Sequence, residues 1–337
     1  MSTAIGSSYL TLLDYAKREK PEGGIADIIE VLTASNPIIA DASVMEGNLT
    51  TGHRSVQRAT LPSGTWRQLN YGVASEKSTT VQRDDTCGML ESYSEVDVAI
   101  ANLGGNAAAF RASEDNAFVA GLSSTAATAI FYGNQGVNPE QIQGLGPRYS
   151  LTTGDYSSQI INASGSTALT SVWLVTWGPK TCSLIYPKGQ QAGLKAEDLG
   201  KVTAVDSSSL MHEVYRTHFI WNIGLALLDY RYVIRICNIS TTDLTDDAST
   251  GADLLRRMTA SWFARQKAEG YINYPSSMAK TFWYCASTVA EYLTVQAQNK
   301  ANVQLSMANP GGEPVVSFYG APIHICDNIT IAETAIS

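Results

Sequence analysis

Apolar residues recur at three- and four-residue steps in one part of the chain: Val96, Ile100, Leu103, Ala107, Phe110, Phe118 and Leu122. That period predicts an amphipathic helix over residues 96–131. Arg111 and Asp115 are expected on the opposite, polar face. Gly104-Gly105 is expected to bend or divide the helix, because glycine is costly in a helix interior. About 25 helical residues would reach roughly 40 Å.

Downstream the period changes to two. Ser171–Trp177 is almost continuously apolar, as in a strand covered on both faces. Tyr215, Thr217, Phe219, Trp221, Ile223, Leu225 and Leu227 hold alternate positions, with Arg216, His218 and Asn222 between them. Tyr230–Cys237 reads as a further strand, and Lys188–Lys201 as a polar, glycine-containing loop. Leu254, Leu255, Met258, Trp262 and Phe263 then predict a helix ended by Gly270, and Phe282, Cys285, Ala286, Val289, Tyr292 and Leu293 a second one. Two short strands, Val315–Tyr319 and Ile323–Cys326, close the chain around Gly320 and Pro322. The fold class is α+β with a mixed or antiparallel sheet.

The segments before residue 96 lack a core pattern. Tyr9–Lys17 and Ile25–Leu32 are short apolar pieces separated by Pro21, Gly23 and Gly24, and residues 1–50 read as an extended arm. Residues 51–95 are rich in Thr, Ser, Arg and Gln, with Leu61-Pro62-Ser63-Gly64 interrupting them. Trp66, Leu69, Tyr71 and Val73 are set among Arg67, Gln68, Asn70 and Gly72, which suggests a long β-hairpin. Such a hairpin is marginal alone and needs a surface to lie on.

Composition narrows the function. The 337 residues suit two compact units, or one large elaborated one. Apolar residues make up 44%, enough for a core, while only 16% are charged, which is low for a surface exposed entirely to water. Either the fold is very compact, or much of the surface lies against other protein. The net charge of −8 argues against holding nucleic acid through phosphate contacts. The first residues lack a basic stretch followed by a long apolar one, so no signal peptide is expected, and no apolar run is long enough for a transmembrane helix.

Candidate chemistry is sparse. Cys87, Cys182, Cys237, Cys285 and Cys326 are widely spaced without C-x-x-C, so reduced thiols are expected, not a disulfide framework or a zinc site. His53, His212, His218 and His324 are scattered, and no metal or catalytic cluster is read from them. The acidic pairs Asp84-Asp85, Glu114-Asp115 and Asp246-Asp247 read as turns or solvated helix faces. Arg256-Arg257 beside Asp253 reads as a solvated or intersubunit face, and Trp262 and Trp283 as core. No catalytic residue and no cofactor is predicted. The sequons at Asn48, Asn162, Asn238 and Asn328 carry no meaning without a secretory route.

The order of segments is more telling than single residues. Phe131–Pro147 (FYGNQGVNPEQIQGLGP) follows the long helix, and Phe318–Ile329 (FYGAPIHICDNI) closes the chain. Leu61–Thr80 and Tyr292–Leu305 add two weaker stretches. In this order they resemble a tailed-bacteriophage major capsid protein of the Hong Kong 97 type, close to those of short-tailed phages. The resemblance implies an N-terminal arm over 1–50 and an extended loop over 51–90. It implies a peripheral domain with a spine helix over 91–150 and 301–337, and an axial domain over 151–300. It implies self-assembly as hexamers and pentamers into an icosahedral virion shell around double-stranded DNA, in the host cytoplasm and without a membrane. Scaffolding, portal and decoration proteins would be the partners. No N-terminal maturation cleavage is expected.

Arg54, Arg58, Trp66, Arg67, Lys77 and Arg83 make the loop basic with an aromatic centre, and intersubunit contact is expected of them. Some relatives weld their shells through a loop lysine; Lys77 reads more simply as a surface lysine. Two other readings compete: an encapsulin-type shell around enzyme cargo, and a hydrolase with unrecognised acidic residues.

Overall fold

The structure is a computed structural model. It describes residues 36–103, 105–154, 156–205, 209–245, 251–265, 279–299, 305–308 and 315–336. The expected arm pieces, Asp246-Asp247 and Gly270 lie outside the described residues. In chain order the first elements are α1 (Pro37–Asp41), β1 (Val44–Glu46), β2 (Gly52–Thr60), β3 (Thr79–Asp97), α2 (Val98–Leu103), α3 (Ala107–Tyr132) and α4 (Leu145–Arg148). Then come β4 (Ile160–Asn162), β5 (Leu169–Trp177), β6 (Cys182–Tyr186), β7 (Leu194–Val205), β8 (Met211–Leu227) and β9 (Val233–Ser240). The chain closes with α5 (Leu254–Ala264), β10 (Lys280–Cys285), α6 (Ser287–Asn299), β11 (Leu305–Ala308), β12 (Val315–Phe318) and β13 (Ala321–Ile325). The described residues divide into two compact units.

The first unit holds residues 89–127 and 193–222. Its helical stretch is divided as the glycine pair predicts. Asp97 Oδ1 accepts the Ala99 N–H at 2.7 Å and starts α2, while Asn106 Oδ1 accepts the Ala109 N–H at 3.1 Å and starts α3. Gly105 between them has φ +69°, a conformation that glycine adopts without penalty. Val96, Ala101 and Phe110 form a small core, and Phe118 stacks on Phe219 with ring centroids 6.3 Å apart.

The polar face of α3 is not solvated as expected. Arg111 donates to Asp198 at 2.6 Å and to Thr217 at 3.3 Å, and Thr217 donates to Asp115 at 3.2 Å. The charges face the strands because each is paired there, and a satisfied polar group can occupy a contact. The predicted loop Lys188–Lys201 is likewise corrected: from Leu194 it is β7, antiparallel to β8. An edge strand paired on one side needs few apolar residues, which hid it. Gly200, at φ +68°, marks the break in register after Asp198.

The second unit holds residues 36–88, 128–192 and 223–336. Its sheet runs β11-β12-β13-β10-β5-β6, then on to β8, β3 and β2, with β9 beside β5. All nine residues of β5 are buried, which bears out the continuous apolar run. Val172 and Leu174 pack with Leu254 and Met258 of α5 and with Val289 and Leu293 of α6. Trp173 faces the other way, 6.2 Å from Phe131 and 6.1 Å from Tyr149 between ring centroids. Both faces of the strand are therefore covered.

Three boundaries differ from expectation. Phe282–Cys285 is the end of strand β10, not the start of a helix; Thr281, Phe282, Trp283 and Tyr284 prefer strands and pair with β5. Tyr230–Tyr232 is a 3₁₀ turn fixed by Asp229, which accepts the Arg231 N–H at 3.1 Å, so β9 starts only at Val233. Helix α5 ends at Ala264, where Arg265 turns to an extended backbone.

The stretch Phe131–Pro147 folds its loop back against the end of α3. Gly144 N–H donates to the Gly133 carbonyl at 2.8 Å. A Cβ on Gly144 would lie 2.5 Å from the Ala129 carbonyl oxygen, so a side chain is excluded there. The C-terminal segment is held by Glu333, buried against Arg235 at 2.8 Å and accepting from Tyr132 at 2.6 Å.

Candidate intersubunit surface

Two strands build the hairpin. Gly52–Arg58 of β2 pairs in steady antiparallel register with Thr80–Thr86 of β3, and a bulge then sets Thr60 opposite Thr79. The shifted register continues outward. The Thr60 and Thr79 hydroxyls lie 2.7 Å apart, Ser63 donates to the Glu76 carboxylate, and the Tyr71 N–H closes a turn on the Gln68 carbonyl at 3.3 Å. Asn70 takes the left-handed conformation at the tip, which asparagine tolerates.

The base of this hairpin is anchored. Asp85 is only 4% exposed; it pairs with Arg148 at 2.7 Å and accepts the Leu227 N–H at 3.0 Å. Gln57 donates to the Leu227 and Leu228 carbonyls at 3.2 and 2.8 Å. Asp84-Asp85 is thus not a turn or a solvated pair: both lie in β3, and Asp85 is buried. No sequence signal marks Asp85, whose partners are distant in the chain.

Beyond the bulge nothing is covered. Every residue from Leu61 to Thr80 is exposed. Trp66 is completely exposed, at 101%, and Leu61, Leu69, Tyr71 and Val73 are exposed as well. A soluble surface rarely gathers so many apolar side chains without a partner. The six expected contact residues separate into two groups. Arg58, Trp66, Arg67 and Lys77 are exposed. Arg54 instead forms a two-point ion pair with Asp84, both bonds at 2.7 Å, and that hydrogen bond holds the Asp84 carboxyl below its usual range. Arg83 donates to the Tyr156 hydroxyl and lies 5.1 Å from that ring's centroid, within its own chain.

Among the described residues no three His, Cys, Asp or Glu side chains gather as metal ligands. His218 lies 3.1 Å from Glu91 and stacks on Tyr93, while His324 lies 2.6 Å from Asp41. Burial pushes the Cys87 thiol up to about 11 and Cys182, Cys285 and Cys326 up to about 12, away from the thiolate that nucleophilic chemistry needs. Among the described residues no helix is long and apolar enough to cross a membrane. Of the Arg256-Arg257 pair, read as a solvated or intersubunit face, Arg257 donates to the Ala252 and Ala163 carbonyls of its own chain at 2.9 and 3.2 Å, while Arg256 is exposed. Trp283 is buried as expected, and Trp262 is partly buried against the same core.

The family model of the major capsid protein GP7 matches residues 20–337. The chain belongs to that family. It is a capsid subunit of the phage head shell, built on the Hong Kong 97 type fold that the segment order resembled. A chain of the near-atomic structure of bacteriophage Epsilon15 is 33% identical, with a TM-score of 0.78, and the match covers 99% of both chains. The capsid of bacteriophage JBD30 shares the fold at 11% identity and a TM-score of 0.50, over 89% of this chain and 93% of that one. No curated protein matches by sequence. The capsid subunit belongs in the virion, in a shell made of many copies.

Proposed function

We propose that this capsid protein assembles as hexamers and pentamers into an icosahedral shell, and that residues 61–78 of each copy dock on a neighbouring copy. The observation that carries this reading is the uncovered hairpin extension, with Trp66 wholly exposed on a loop that has no core. Arg67 and Lys77 on the loop, with Arg58 at its root, outnumber Glu76, and an acidic surface on the neighbour suits them. In this reading 1–50 is the arm, 51–90 the extended loop, 91–150 with 301–337 the peripheral domain and 151–300 the axial domain. Many modest contacts around symmetry axes add up to a stable shell.

The shell encloses double-stranded DNA without sequence-specific contacts, which agrees with a net charge of −8. Scaffolding, portal and decoration proteins are its further partners, assembly takes place in the host cytoplasm, and the subunit has no catalytic role. The double variant Arg58→Glu/Arg67→Glu is expected to fold with unchanged thermal stability and to stop shell formation. Sedimentation of purified variant particles checks this; a normal yield of shells sinks the loop-docking reading.

A further inference from the structure

Residues 330–336 run along the second unit as an extended strap. Thr330, Ile331, Ala332, Thr334 and Ala335 are exposed, so little apolar packing holds it. Polar contacts at three-residue steps hold it instead. Thr330 donates its N–H to the Tyr132 hydroxyl at 3.2 Å, and its carbonyl accepts from the Thr170 hydroxyl at 2.9 Å. Glu333 donates its N–H to the Leu169 carbonyl at 2.9 Å and sends its carboxylate to Arg235, Tyr132 and Ser171. The Asn238 amide takes both backbone groups of Ile336, accepting the N–H at 2.9 Å and donating to the carbonyl at 2.8 Å.

The receiving side is set without the strap. Arg235 lies 4.9 Å from the Trp173 ring centroid and donates to the Ser171 hydroxyl at 2.9 Å and the Tyr149 carbonyl at 3.0 Å. Asn238 is buried and takes φ +55° inside β9, and its amide also donates to Asn162 Oδ1 at 3.0 Å. A left-handed residue within a strand is kept where the fold needs its side chain in one place. What the strap adds is the counter-charge. The Arg235 and Glu333 side chains are each 5% exposed, and a guanidinium so buried is costly without a carboxylate. We infer that this groove is a peptide-binding site for an extended segment with a central glutamate, and that it takes residues 330–336 of a second copy when its own strap is off. A site that reads one carboxylate and main-chain groups does not distinguish its own strap from an identical one. Exchange of identical segments restores every contact that it breaks. A shell of many copies also keeps such straps at high local concentration. The inference is independent of loop docking.

Two measurements on the full chain test it. The first uses a fluorescent synthetic peptide of residues 327–337, standing for a second copy's strap, and the double variant Glu333→Ala/Ile336→Pro. That variant's own strap lacks the carboxylate and the Ile336 N–H. The peptide should bind, read as a rise in anisotropy, and should raise the variant's melting temperature. The same peptide carrying Glu333→Gln should bind about thirtyfold more weakly. Ile336→Pro alone keeps the buried ion pair, and it takes the peptide test if the double variant does not fold. The second measurement is hydrogen exchange of the parent chain. The Thr330, Glu333 and Ile336 amides should exchange about tenfold or more faster than the buried amides of β5, because the strap opens without the core. A peptide that does not bind the folded variant, a Gln peptide that binds as well as the Glu peptide, or strap amides as slow as those of β5 each overturn the inference.

Discussion

Replacing Asp85 with alanine is expected to lower the unfolding free energy of the subunit by about 3–5 kcal/mol. The carboxylate is 4% exposed and Arg148 is 11% exposed, so neither charge has water to fall back on. Arg148 also donates to the Gln143 and Leu225 carbonyls, at 3.0 and 3.2 Å. Those bonds keep the guanidinium in place when its counter-charge is removed, and they leave it buried without compensation. The Leu227 N–H loses its acceptor in the same step. Asp85→Asn keeps the shape and an acceptor but not the charge, so it should cost less. The loss is a large share of a typical domain's total stability of about 5–15 kcal/mol. Denaturant unfolding of unassembled subunits measures it. An alanine variant within about 1 kcal/mol of the parent contradicts the view that this pair anchors the hairpin.

Replacing residues 61–78 with a two-residue Asn-Gly turn is expected to have the opposite signature: an intact subunit and no shells. Every residue removed is exposed, so no core contact is lost. Thr60 and Thr79 already face each other, and Asn-Gly suits the tight turn that would join them. A shorter loop also costs less entropy to close, so thermal stability should be unchanged or slightly raised. What disappears is the apolar tip, Trp66, Leu69, Tyr71 and Val73, together with Arg67 and Lys77. Side-by-side melting and particle sedimentation separate the two effects. Shells formed at the parent's yield show that the loop is dispensable; a melting point that drops with them shows that the loop supports its own subunit instead.

The parts of this fold that were legible in the sequence are those where one physical rule acts alone. Continuous apolar character in Ser171–Trp177 has one explanation, cover on both faces, and β5 has it. The glycine pair after Leu103 divides two helices, each started by its own capping side chain. Where two rules compete, the sequence misleads. The spacing of Phe282, Cys285 and Val289 fits a helix, yet the strand preference of Thr281–Tyr284 and the pairing with β5 prevail. β7 is polar because an edge strand is half in water. The exposed loop could be read from its lack of a core, but not which of its arginines are free. Arg54 and Arg83 differ from Arg58 and Arg67 only through partners, Asp84 and Tyr156, that the fold brings to them. The low charged fraction agrees with a subunit built into a shell of many copies.

Cryo-electron microscopy of particles purified from cells expressing this chain tests the central claim most directly. The account predicts closed shells in which density for residues 61–78 of each copy lies on a neighbouring copy. Purified protein that stays monomeric at assembly concentrations, or shells whose loops project into solvent untouched, would contradict it.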